Sequence, residues 1–175
     1  PAPFQYRVPE GHTPESYRME CAEALEAKIL EMGAGNVLAF AVEPVGGLAT
    51  GAQMLSMDYA NRIREICNKH GVYLVYDEIL CGTGRTGRFL ASHAWPDAHA
   101  DIVVLAKGLG SGYAPLSAAL LPASMVDELA DLTGFNFSHT YSANPVTCAT
   151  GMAVLDEYER HNLIEAAAIR GASLK

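Results

Sequence analysis

Apolar residues recur along this chain in two rhythms, and the rhythms predict its elements. From residue 17 onward, Tyr17, Cys21, Ala24, Leu25, Lys28, Ile29 and Met32 return at steps of three and four, which gives a helix with one mostly apolar face. Thr13 is its expected cap and Pro14 its first residue, where a fixed φ and a missing N–H do no harm. Gly33 and Gly35 stop it. The stretch MLSMDYANRIREICNKHG, residues 54–71, repeats the helical rhythm with Ile63, Ile66 and Cys67 inward and Gly71 closing it. The other rhythm is a short, unbroken apolar run: VLAFAVEP (37–44), VYLVYDE (72–78), DIVVLAK (101–107) and SAALLP (117–122). Ser124 then opens a short helix, with Asp127 three residues on as in a capping box. A polar loop, GFNFSHTYSAN (134–144), leads to Pro145, and a long helical pattern occupies the rest. Helix and strand alternate, and strands that are apolar throughout imply helices on both faces. The expected class is therefore α/β, a mostly parallel sheet flanked by helices, without repeats or linkers.

Composition narrows the partners. Half of the 175 residues are hydrophobic and the formal net charge is −8, with no basic run. Nucleic acid and anionic membrane are thereby poor partners. No apolar run approaches the ~18–20 residues of a membrane span, and no signal-peptide pattern opens the chain. The four cysteines, Cys21, Cys67, Cys81 and Cys148, lack C-x-x-C spacing. They read as free thiols of a reducing compartment, with a cytoplasmic location expected. His93 and His99 flank Trp95-Pro96 without a third ligand, so no metal is assigned. The chain begins at Pro1 without a methionine and ends within a helical pattern, and it reads as an internal piece of something longer.

One loop invites a specific misreading. After the strand at 72–78 comes Gly82-Thr83-Gly84-Arg85-Thr86-Gly87, literally the G-x-G-x-x-G of dinucleotide sites. Such a site needs a helix opening at the third glycine and an acid about 20 residues on, at the end of the next strand. The interval 88–101 contains Pro96 and Asp97, and the end of the next strand carries Lys107. Asp77 and Glu78 at the mouth of the preceding strand would repel a pyrophosphate. The nicotinamide reading fails on these counts. Charge does sit at three strand ends, namely Glu43, Asp77 and Lys107, where open α/β sheets bind their ligands. Asp77 and Lys107 lie 30 residues apart on strands consecutive in the chain. Between an apolar strand and a loop of small residues, Lys107 is expected to be desolvated, which lowers an amine's pKa and makes it a nucleophile for carbonyls. A structural ion pair between Lys107 and Asp77 explains the same spacing equally well.

Four stretches together carry a resemblance. AFAVEPVGG (39–47), GVYLVYDEILCGTGRTGRF (71–89), PDAHADIVVLAKGLGSGYAPLSAAL (96–120) and HTYSANPVTCATGMAVL (139–155) resemble, in order, the signatures of the class III (omega-type) aminotransferases. These are pyridoxal-phosphate enzymes with the aspartate-aminotransferase fold. The family's members are longer, and this chain resembles the middle of their large, cofactor-binding domain. Residues 1–160 would be its central part, and 161–175 the helical start of the connection to a C-terminal small domain. By the same resemblance Lys107 would hold pyridoxal 5'-phosphate as a Schiff base and, once freed by substrate, shuttle the proton between the α-carbon and the cofactor. Asp77 would pair with the pyridine nitrogen and keep it protonated, the protein's main electronic lever on this cofactor. Ile79 would pack on a ring face, and an ordinary core role fits it as well. Thr140 would reach the cofactor phosphate of a neighbouring subunit, which implies at least a homodimer. Its loop also suits a capping role, with Ser142 or Asn144 as cap. Gly82, Gly84 and Gly87 would let backbone turn tightly beside the pocket, with Arg85 anchoring the loop. Tyr113 would line the pocket mouth, and Glu43 would lie near the site.

Departures from the family pattern bear on substrate. Leu48 stands where glutamate-using members carry a second glutamate, and Leu80 where many carry a glutamine to the cofactor's ring oxygen. The implied substrates are an amine or amino acid and a keto acid, with an omega-amine or β-amino-acid:pyruvate type favoured. A decarboxylase, aminomutase or phospho-lyase on the same scaffold stays open. So does a non-catalytic fragment unable to hold cofactor, because the family's upstream phosphate-binding segment, ring-stacking aromatic and downstream carboxylate-binding arginine match nothing here.

Overall fold

Helix α1 (Pro14–Met32) begins with a reciprocal cap. The Thr13 hydroxyl accepts the Ser16 N–H at 3.2 Å, and the Ser16 hydroxyl accepts the Thr13 N–H at 2.9 Å. The structure, a computed structural model, describes residues 2–134 and 138–174. It divides into two compact units.

The first unit contains the chain up to Tyr76 and Ser92–Ala100. Its helices α1 and α2 (Met57–His70) bury Cys21, Ala22 and Ile29 against Tyr59, Ala60, Ile63, Ile66 and Cys67. Burying such side chains is worth about 1.5–3 kcal/mol for each large aliphatic one. Charge closes the seam. Arg18 grips Asp58 with its Nε and Nη2, the latter at 2.8 Å from Oδ2. The buried Glu26 carboxylate accepts from Lys69 and His70, each at 2.7 Å, and from Arg62 at 3.3 Å. Helix α2 starts three residues later than the rhythm predicts. Met54 forms a bridge with Val45, and Leu55 donates to the Pro44 carbonyl, so pairing removes them from the helix.

Strands β1 (Ala39–Val42) and β2 (Tyr73–Asp77) run parallel, with Ala39 opposite Tyr73 and Val42 opposite Tyr76. Along β2 burial alternates: Leu74 and Tyr76 are buried, Tyr73 is exposed and Val75 half-buried. Unbroken apolar composition led us to expect cover on both faces, yet in this unit one face of the pair is the more open. Tyr76 is fixed on the buried side, edge-on to Trp95 with centroids 5.9 Å apart, and its hydroxyl donates to the Ala98 carbonyl.

The second unit contains Asp77–Ala91 and the chain from Asp101 onward. Strands β3 (Ile102–Leu105) and β4 (Ala118–Leu120) pair antiparallel. Helix α3 (Ala123–Thr133) begins one residue before the expected Ser124 cap. Pro122 takes the cap position with φ −59° and no side-chain bond, because its fixed φ already suits the turn of chain into the helix. The expected polar loop is described except at residues 135–137, which lie outside the described residues. Asn144 caps α4 (Pro145–Arg160), its Oδ1 accepting from the Val146 and Thr147 N–H groups. The long helical pattern is interrupted. Asn162 sits at φ +48° and separates α4 from α5 (Leu163–Ser173), a conformation asparagine tolerates better than most residues.

The glycine loop now has a mechanical explanation. Gly84 and Gly87 both have positive φ, and a Cβ would lie 2.9 Å from Ile164 at the first and 2.7 Å from Ala168 at the second. Only residues without a side chain let α5 lie this close. Backbone bonds hold the loop, from Gly82 to the Glu78 carbonyl at 2.8 Å and from Gly84 to the Phe89 carbonyl at 3.2 Å. Arg85, expected as the anchor, is exposed.

Candidate active site

Lys107 follows β3 after one residue, Ala106, and opens a single 3-10 turn, Lys107–Leu109. Its φ is +41°, a left-handed value that disfavours a residue with a Cβ and that persists only where surroundings enforce it. The turn is bonded from Leu109 to the Ala106 carbonyl at 2.9 Å and from Gly110 to the Lys107 carbonyl at 3.2 Å. The Gly108 carbonyl accepts from the Tyr158 hydroxyl at 3.1 Å and from the Ser111 hydroxyl at 3.3 Å. Lys107 is exposed, which corrects the expectation of a desolvated amine. It lines a cleft of about 730 Å³ together with Arg85, Ser111, Leu116, Ser117 and Tyr158.

Asp77 ends β2, half-buried, and its Oδ1 accepts the Ile79 N–H at 3.0 Å. That local bond turns the chain out of the strand, as Asp side chains commonly do. Glu78 is fully buried. Its N–H donates to the Val104 carbonyl of β3, and its Oε2 accepts the Ala91 N–H at 2.6 Å. The end of β2 that carries Asp77 is thereby bonded beside the strand that leads to Lys107. Ile79 is half-buried. Thr140 is exposed and begins the turn before α4, where the Ser142 hydroxyl accepts the His139 N–H and the Ser142 N–H donates to the His139 carbonyl.

Asp77, Ile79, Lys107 and Thr140 thus belong to one unit, although Asp77, Ile79 and Thr140 are not among the walls of the Lys107 cleft. Glu43 belongs to the other unit, where its Oε2 accepts the Gly47 N–H at 3.1 Å and closes the turn after β1. Tyr113 is exposed on a neighbouring cleft of about 1110 Å³. Among the described residues no group of three or more His, Cys, Asp or Glu side chains could hold a metal. Sequence reasoning took Glu78 only as a charge that repels phosphate, gave Thr83 no role of its own and passed over Tyr158. Thr83 is buried at φ +56°, with its Oγ1 lacking a partner among the described residues. An acid beside Asp77 was a visible signal for Glu78. Tyr158 had none, since it sits 50 residues from the carbonyl it binds.

The donor set suits pyridoxal phosphate chemically: a primary amine for its aldehyde, and a carboxylate for its pyridinium N–H. A model of the class III aminotransferases matches residues 2–175. Over 99% of its length the chain is 38% identical to the uncharacterized aminotransferase YodT of Bacillus subtilis, covering 39% of that protein. It is 35% identical to the putrescine–pyruvate aminotransferase of Pseudomonas aeruginosa, covering 93% of this chain and 35% of that one. Among solved structures, an amine transaminase from an uncultivated Pseudomonas species in its pyridoxal-phosphate-bound form superposes with a TM-score of 0.89. The two are 38% identical, over 99% of this chain and 40% of the other. The fold is that of the fold type I transaminases. The chain belongs to the class III aminotransferase family, whose members use pyridoxal phosphate. It spans about two fifths of the length of the relatives it matches.

Proposed function

We propose that this chain is the central part of the cofactor-binding domain of a pyridoxal-phosphate-dependent transaminase. Residues up to 160 form that part, and 161–175 begin the connection to a further domain. The observation that carries the reading is an amine, Lys107, on a strained turn after β3, with the carboxylate of Asp77 on the strand end bonded to β3 through Glu78. Lys107 Nζ would hold the cofactor covalently and, once freed by substrate, would take the proton that leaves the substrate's α-carbon. Asp77 would keep a proton on the pyridine nitrogen, Ile79 would pack against the ring and Thr140 would bind phosphate across a homodimer interface. When bound, the cofactor supplies an electron sink for the substrate carbanion. Leu48 and Leu80 favour an omega-amine or β-amino-acid donor with a keto acid such as pyruvate as acceptor, in the cytoplasm.

The test adds pyridoxal phosphate to the full-length protein and records visible absorbance before and after Lys107→Ala. Loss of the band in the variant is the expected result; a band that survives means the cofactor reacts with another lysine, and the assignment falls. A panel of amines and keto acids on the same protein separates transamination from decarboxylation, mutase and lyase chemistry.

A further inference from the structure

The left-handed conformation of Lys107 needs an enforcer, and two of the residues that supply one, Thr83 and Tyr158, are distant in sequence. Bonds inside the turn are those of any 3-10 turn. What is particular here is the Gly108 carbonyl, one peptide beyond Lys107, which takes two hydroxyl donors at once. Tyr158 reaches it at 3.1 Å from the last turn of the second unit's helix α4, and Ser111 at 3.3 Å from the following loop; the two hydroxyls are 3.5 Å apart. On another side of Gly108 stands buried Thr83, whose Cβ would be 3.2 Å from a Cβ built at that glycine. The peptide after Lys107 is thus wedged by Thr83 and gripped by Tyr158 and Ser111. A strained residue persists when its neighbours over-determine it, and this grip satisfies that condition. Tyr158 also lines the Lys107 cleft.

We propose that Tyr158 is a positioning residue that, with Ser111, holds the backbone of Lys107 in the orientation its chemistry requires. The proposal rests on Lys107 being the cofactor lysine only for its catalytic consequence; the mechanical part stands without it.

Tyr158→Phe in the full-length protein keeps the ring and removes only the hydroxyl. Amide hydrogen exchange, measured without cofactor, is expected to speed up at residues 108–110 by roughly three- to tenfold, the weight of one net hydrogen bond. With pyridoxal phosphate added, the pH midpoint of the visible band shifts, and kcat falls by a similar factor while KM stays within about twofold. Unchanged exchange and an unchanged midpoint overturn the proposal. Should Tyr158→Phe melt early, Ser111→Ala on the exposed loop probes the same carbonyl; it must move both readouts in the same direction, and failure to do so is equally fatal. The double variant is expected to exceed the sum of the two, because each hydroxyl partly substitutes for the other. A visible band that survives Lys107→Ala sinks the lysine assignment, whereas the exchange result reports on the grip alone.

Discussion

The seam between α1 and α2 and the turn at Lys107 solve opposite problems. The seam is filled with Ile29, Ile63, Ile66 and Cys67, all at or near zero exposure, and its buried acid Glu26 is bonded to Arg62, Lys69 and His70. The turn and the loop after it are rich in glycine, carry non-glycines at positive φ at Lys107 and Ser111, and leave the lysine exposed. One region gains stability from ordinary packing; the other holds a residue in a conformation that costs energy. Strain of this kind persists where the surrounding structure over-determines it, and it clusters at functional sites.

The contrast is sharpest under substitution. Lys107→Ala should lower transaminase turnover of the full-length protein by about 10³-fold or more, the weight of a group that moves the proton, while the melting temperature holds or rises. A large loss of melting temperature would instead make Lys107 structural. Ile63→Ala should do the reverse: it opens a cavity in the seam at a cost of about 2–5 kcal/mol, read by denaturant unfolding, with activity per folded molecule retained. Gly87→Ala comes next, combining positive φ with a Cβ 2.7 Å from Ala168. A cost of about 1–3 kcal/mol is expected, and an unchanged midpoint would mean that α5 does not need its close approach.

The smallest effect concerns pH. Lys69 and then His70, both bonded to Glu26, hold its carboxyl down to about 2 from an ordinary 4.5. A depressed folded-state value means that the contribution is fully present above about 4.5 and is lost as pH falls toward 2. Glu26→Gln should flatten the acid limb of the stability profile in that window while leaving the profile near neutrality almost unchanged. Identical acid limbs in the two proteins would remove Glu26 from the account of the seam.

Much of this was legible in the sequence where the cause is local. Thr13 before Pro14, the three-and-four spacing from Tyr17 and the strand ending at Asp77 depend on neighbours within a turn or two, whereas β3 stops at Leu105, two residues short of the expected Lys107. The misreadings share a different cause. Met54 left its helical rhythm to bridge Val45, and Pro122 displaced Ser124 as the start of α3. Lys107 was expected to be buried because its strand is apolar, yet it is exposed.

By itself the sequence determined the class of fold, the order of its elements and the residues at the strand ends, because periodicity and turn chemistry act over a few positions. Tertiary structure alone decided that the Tyr158 hydroxyl meets the Gly108 carbonyl, that α5 rests on Gly84 and Gly87, and that Glu78 bonds the end of β2 to β3. Each of those contacts joins residues with no local signal of one another, and it exists only once the chain between them has closed.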